Sequence, residues 1–306
     1  MGDMVVHIIF YILAPVFILI GLGALLDRLL NLDAKTLVQL NFYVFVPALV
    51  AVKIIDSPVS LAEFGGVAIA ALLSLLLCGA VAWLIAGRGK LRPQRPLLVS
   101  TAMFTNAGNV GIPVAALAFP DFGAAYMGAI LMVQNFACFS IGMILLADMK
   151  PKSALDFIKV LLPVPVTWAI VLALIIRSTN LHVPEPLFTP LSYLGDGLIP
   201  VALLTLGVQL RRSLGGSGDF IFLTVGMLLR LLLGPLIVFA VAILLPLPEE
   251  GRQVLILSGV LPVAVNVYIL AARYESNASL ASQLVFWSTV LSPIGFVAVL
   301  LFLSTG

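Results

Sequence analysis

Apolar stretches of about twenty residues follow one another along the chain, separated by short polar breaks. Ten can be delimited in the sequence: Val5 to Leu26, Thr36 to Ile55, Ala62 to Ala86, Leu97 to Phe119 and Ala124 to Ala147, then Ile158 to Ile176, Leu187 to Leu210, Phe220 to Leu245, Val254 to Ala272 and Leu280 to Leu303. A hydrocarbon core about 30 Å thick needs about 20 apolar residues per helix, and barrel strands need far fewer. Open sheet or coil facing lipid would leave backbone N–H and C=O groups without partners. The pattern therefore predicts an all-α polytopic membrane protein with ten transmembrane helices. Composition agrees: 62% of residues are hydrophobic and 10% charged, against about 25% charged in a soluble domain.

The basic residues alternate between the polar breaks. With the N-terminus outside, the inner breaks hold Arg28 and Lys35; Arg88, Lys90, Arg92 and Arg95; Lys150, Lys152 and Lys159; Arg211 and Arg212; and Arg273. The outer breaks hold Lys53, Arg177 and Arg252, and Arg230 lies inside the eighth span. The excess on one side orients the chain by the positive-inside rule, with both termini outside. The net charge of +2 gives no reason to expect nucleic acid as a partner; the lipid bilayer is the partner the pattern demands.

Five spans on each side of a short cytoplasmic linker divide the chain into a first repeat over residues 1–147, a linker over 148–156 and a second repeat over 157–306. Because five is odd, halves sharing a fold must sit in opposite orientations, the inverted-repeat arrangement of secondary transporters. A shift of half the chain, 153 residues, places Pro47 on Pro200, Gly142 on Gly295, Asn109 on Pro262 and Pro113 on Asn266.

That shift joins the two spans that carry unusual polarity. The fourth contains Thr105-Asn-Ala-Gly-Asn-Val-Gly-Ile-Pro113 and the ninth Leu261-Pro-Val-Ala-Val-Asn-Val-Tyr268. Relative to Ala, Gly costs a helix interior about 1 kcal/mol and Pro about 3, so both helices should break at mid-membrane, with Gly108, Gly111, Pro113 and Pro262 shaping the backbone. A second half-helix is expected to start with Pro113 near its first position, where the missing N–H is harmless. A half-helix that begins at that depth offers unsatisfied N–H groups and a positive dipole end, which favour an anion. The amides of Asn106, Asn109 and Asn266 either line a polar site or cap the half-helices, and they leave its charge open. Tyr268 either lines the same cavity or packs.

Arg230 is the one charge deep within a span, where an ionisable group is costly and functional by default. It serves either substrate or gating electrostatics or a structural pairing with backbone carbonyls. Gln134 and Asn135 form an amide pair in the fifth span, suited to interhelical hydrogen bonding or to the site. Cys78 and Cys138 lie in apolar runs and read as core thiols. His7 and His182 have no ligand pattern around them, so no metal is expected. No phosphate-binding loop or nucleophile elbow is present, so neither a cofactor nor an enzyme is expected.

The segments Asn106-Ala-Gly-Asn-Val-Gly-Ile-Pro113, Pro262-Val-Ala-Val-Asn-Val-Tyr268 and Leu198-Ile-Pro-Val-Ala-Leu-Leu-Thr-Leu-Gly207 resemble the auxin efflux carrier family. The resemblance implies ten helices in two inverted repeats, crossed broken fourth and ninth helices beside the substrate, a homodimer, and a small organic anion such as a carboxylate or dicarboxylate as substrate. The short linker favours a bacterial member in the inner membrane. A secondary carrier of small organic anions, working by alternating access at the crossing, is the resulting expectation, with Asn106, Asn109, Asn266, Tyr268, Gln134 and Arg230 as substrate contacts. A sodium-coupled symporter of the bile-acid type and a membrane-embedded ligand sensor are the alternatives.

Overall fold

The computed structural model describes residues 2–56, 60–147, 165–179, 181–212, 219–274 and 276–305. We number its main helices α1 (Val5–Leu30), α2 (Ala34–Ile55), α3 (Leu61–Ala86), α4 (Arg95–Met103), α5 (Ala107–Ala118), α6 (Gly123–Leu146), α7 (Pro165–Ser178), α8 (Glu185–Arg212), α9 (Phe220–Leu244), α10 (Glu249–Gly259), α11 (Val265–Arg273) and α12 (Ala278–Thr305). Among the described residues, seven helices are long and apolar enough to cross a membrane: α1, α2, α3, α6, α8, α9 and α12. The expected fourth and ninth spans are each divided in two, as α4–α5 and α10–α11. The nine residues of α4 rise only about 13 Å, too little to cross alone. The expected linker over 148–156 and the start of the sixth span, including Lys150, Lys152 and Lys159, lie outside the described residues.

Polar residues at the breaks start and stop these helices. Asp33 caps α2, accepting from the Lys35 N–H at 3.1 Å. Ser60 and Glu63 form a reciprocal capping box at the start of α3, satisfying two orphan N–H groups. Asp219 accepts from the Ile221 N–H at 2.9 Å to open α9. Asn31, with φ of 49°, terminates α1 in the left-handed region, which Asn tolerates better than most residues.

The helices pack in two groups. In one, α1 lies along the C-terminal half of α8, and α2 packs on α7 and on the N-terminal half of α8. A Cβ on Gly23 would fall onto the Leu204 carbonyl, and one on Gly207 onto the Ile20 carbonyl. The α1 and α8 backbones therefore touch, an approach that small residues permit in membranes. At one end of this pair the buried Asp27 carboxylate is gripped by Arg211 and Arg212, the latter at 2.6 Å. In the other group, α3 packs on α4 and α6, α9 on α10 and α12, and α11 on α12. Large apolar side chains such as Ile18, Ile69, Leu84, Leu236 and Ile294 face outward, as the lipid-facing surface of a membrane protein requires.

Among the described residues, five turns within the helices are widened to the π form: Ile8–Leu13, Asn41–Phe45, Ala107–Gly111, Cys138–Gly142 and Leu229–Leu233. Four of them end two residues before a proline, namely Pro15, Pro47, Pro113 and Pro235. Proline cannot donate to the preceding turn and clashes with its carbonyl; an extra residue in that turn relieves both defects.

Candidate functional site

Helix α4 ends at Met103, and Phe104 to Asn106 lie outside any helix before α5 begins. Helix α10 ends at Gly259, and α11 begins at Val265. The two interruptions meet: Thr105 and Val263 form an antiparallel bridge. The Asn106 N–H donates to the Pro262 carbonyl at 2.9 Å, and the Ala264 N–H to the Phe104 carbonyl at 3.0 Å. The two remaining donors of this short ladder are taken by side chains from opposite sides. Thr105 N–H donates to Gln134 Oε1 of α6 at 3.3 Å, and Val263 N–H donates to Ser288 Oγ of α12 at 3.0 Å. Irregular backbone at this depth thus has its N–H groups satisfied by protein, the condition for its presence in a membrane.

Asn106 is the N-cap of α5, its Oδ1 accepting from the Asn109 N–H at 3.3 Å. The half-helix therefore starts at Ala107 and not near Pro113 as expected; the widened turn over Ala107–Gly111 carries the chain past the proline. The restarts at Ala107 and Val265 are 158 residues apart, so the 153-residue shift expected from the sequence does not align them. Gly111 is tightly enclosed: a Cβ there would press on Leu261 and on the Met127 sulfur, both at 3.0 Å. A Cβ on Gly108 would meet only Leu131, at 3.6 Å.

The N-terminal ends of α5 and α11 open onto one cavity of about 90 Å³ between the two helix groups. Asn106, Gly108, Asn109, Gln134, Asn135 and Asn266 line it from one group, and Asn41, Thr205 and Gln209 from the other. No carboxylate, imidazole, amine or guanidinium stands among the lining residues. Half-helix dipoles, the Thr205 hydroxyl and neutral amides set its polarity.

Two of the expected contacts stand elsewhere. Tyr268 is exposed on α11 and does not line the cavity. Arg230 is buried behind the interruptions, donating through one guanidinium nitrogen to the Ala102 carbonyl at 3.0 Å and through the other to the Gly259 carbonyl. Those carbonyls belong to the C-terminal ends of α4 and α10, the negative ends of their dipoles. Of its two sequence alternatives, the pairing with backbone carbonyls is the one present. Asn41, Thr205 and Ser288 were not singled out from sequence; a polar residue inside an apolar span was the available signal.

A profile of the family described as "Membrane transport protein" matches residues 8–159 and 152–299. The chain belongs to that family. It is the auxin efflux carrier family, whose motifs the sequence resembles, and its members are transporters and not enzymes. Relatives are described as transporters. An uncharacterized transporter of Methanothermobacter thermautotrophicus is 28% identical over 90% of this chain and 92% of its own length. The uncharacterized transporter MJ1031 of Methanocaldococcus jannaschii is 24% identical over 85% and 86%. The uncharacterized transporter YfdV of Escherichia coli is 27% identical over 64% of each.

Proposed function

We propose that this family member is a secondary carrier of small organic anions, binding them where the two interrupted helices cross. The observation that carries this reading is the convergence of two half-helix N-termini and a set of neutral amides on one cavity between two helix groups. Half-helix dipoles aimed at a mid-membrane site are the recurring means by which transporters hold anionic groups.

Ten spans in two inverted repeats, residues 1–147 and 157–306, account for the packing. Exchanging the halves turns the α1–α8 pair into the α7–α2 pair, the α3–α4 pair into α9–α10, and the α3–α6 pair into α9–α12, and all six pairings are present. The same exchange relates Gln134 on Thr105 to Ser288 on Val263. Alternating access then consists of the six-span group carrying the crossing past the four-span group of α1, α2, α7 and α8. Basic residues at the shared ends of α1, α2 and α8 put those ends in the cytoplasm and both termini outside, in a plasma membrane, the inner one in a bacterium. That the cavity-lining residues Val38 and Gln209 lie near those ends supports a cavity mouth toward the cytoplasm.

Charge displacement on a solid-supported membrane tests this, using proteoliposomes, a panel of mono- and dicarboxylates, and radiolabelled flux for electroneutral exchange. Saturable transport of one anion class, reduced in an Asn109→Ala, Asn266→Ala double variant, is the expected result. Binding without any flux would overturn the carrier in favour of a sensor, and strict sodium dependence would favour a symporter.

A further inference from the structure

We infer that the substrate carries a hydrogen-bond donor, a hydroxyl or N–H, in addition to its anionic group, and that Asn41 selects for it. The inference rests on the carrier reading for its ligand class and on the orientation of the side-chain amides for its content.

Asn41 opens the widened turn of α2 and is 3% exposed. Its Nδ2 donates to Thr205 Oγ1 at 2.9 Å, and the Thr205 hydroxyl in turn donates to the Val201 carbonyl at 2.6 Å. A hydroxyl has one proton. With that proton committed to Val201, Thr205 can only accept from Asn41, so the amide nitrogen must face Thr205 and Oδ1 must face away from it. The neighbouring network thereby settles an amide orientation that shape alone leaves ambiguous. Asn41 Oδ1 has no hydrogen-bond partner among the described residues, and the residue lines the cavity.

The same logic applied across the cavity gives the opposite polarity. Asn106 Oδ1 is taken by the Asn109 N–H, which leaves Nδ2 as the free end; it too is buried without a partner among the described residues. Gln134 Oε1 is taken by the Thr105 N–H, which turns Nε2 away from that bond. The six-span group therefore offers donors and two helix N-termini, while Asn41 in the four-span group offers a fixed acceptor. A simple carboxylate satisfies the first side and confronts the acceptor with nothing to give it. A hydroxycarboxylate, or a carboxylate bearing an N–H, satisfies both. Leaving a buried acceptor unmet is what discriminates against the analogue without a donor.

Binding to the purified full chain, followed by ligand-induced thermal shift and by competition, is to be compared within three pairs that differ by one hydroxyl: glycolate and acetate, lactate and propionate, tartronate and malonate. The wild type is expected to bind the hydroxylated member of the accepted pair about tenfold more tightly. In Asn41→Leu the ratio falls to about one, chiefly through loss of affinity for the hydroxylated member. Thr205→Val, which leaves Asn41 in place but frees its amide to turn over, lowers the ratio as well, an effect that a merely structural role for Asn41 would not produce. A ratio near one in the wild type, or a ratio kept in Asn41→Leu, would overturn the inference even if anions are transported. Preference in binding with no flux would leave the inference standing and remove the carrier. No binding by any of the six would count against both.

Discussion

Arg230 brings a full positive charge into the middle of the bundle, and among the described residues its partners there are two peptide carbonyls rather than a carboxylate. A guanidinium suits this position because it is planar, always charged and able to donate in two directions at once. It joins the ends of α4 and α10, so the two interrupted helices are held from behind by one side chain while their extended segments pair in front. Gly234 leaves the room: a Cβ there would lie 2.8 Å from the guanidinium. Arg230→Met leaves the Ala102 and Gly259 carbonyls unpaired, and we expect a loss of about 2 kcal/mol in stability, with Arg230→Lys between it and the wild type. Transport velocity should fall in both, while KM for the anion stays within about twofold, since uniform ligand binding is untouched. Thermal unfolding and initial-rate kinetics check this. A large rise in KM at unchanged velocity would instead make Arg230 a substrate contact. The sequence revealed the position of this charge but not its partners, because both are backbone atoms from helices distant in the chain.

The helices show how much proline arranges. The breaks at Asn106 and Pro262 could be read from clustered Asn, Gly and Pro, and the structure interrupts both spans there. What could not be read was the direction of the effect at Pro113. A proline is equally at home at the start of a helix and beyond a widened turn, and only the Asn106 cap decides for the second. We predict that Pro113→Ala, by restoring an N–H, lets Ala107–Gly111 tighten to an ordinary α turn. That removes one residue from the turn and rotates its side chains by about 100°, carrying Asn109 off the cavity. KM for the anion should rise about tenfold with thermal stability kept or raised; an unchanged KM would mean that the widened turn is held by its surroundings and not by the proline. The contact between α1 and α8 is a second element-level case. Gly207 lies in one of the segments that resemble the family, yet nothing in the sequence says what it touches. Since a Cβ there would fall onto the Ile20 carbonyl, Gly207→Ala must push the two helices apart. Overpacking of this kind costs about 1–3 kcal/mol, to be read as a lowered midpoint of thermal unfolding in detergent, and an unaltered midpoint would show that the pair adjusts freely.

At the scale of the molecule, the cavity is divided between two bodies that alternating access would separate. The donors on Asn106 and Gln134, and both half-helix N-termini, belong to the group of α3 to α6 and α9 to α12, whereas Asn41 and Thr205 belong to the other. If the six-span group moves, the anionic end of the substrate travels with its donors, and Asn41 stays behind. Selection for a hydroxyl should then operate only from the membrane face at which Asn41 and the crossing confront each other, the face bearing Arg28, Lys35 and Arg211. Flux measured from that face in inverted vesicles is expected to favour the hydroxylated member of a pair, and flux from the opposite face in right-side-out vesicles to treat both members alike. Asn41→Leu should abolish the difference between faces without altering affinity from the outer one. Equal preference from both faces would mean that Asn41 keeps its place beside the crossing throughout the cycle, so that the two groups do not part and access alternates by movements of the cavity walls alone. Alternating access is in this way tied to a ratio of fluxes, because the acceptor and the donors that flank the cavity are fixed to different helices.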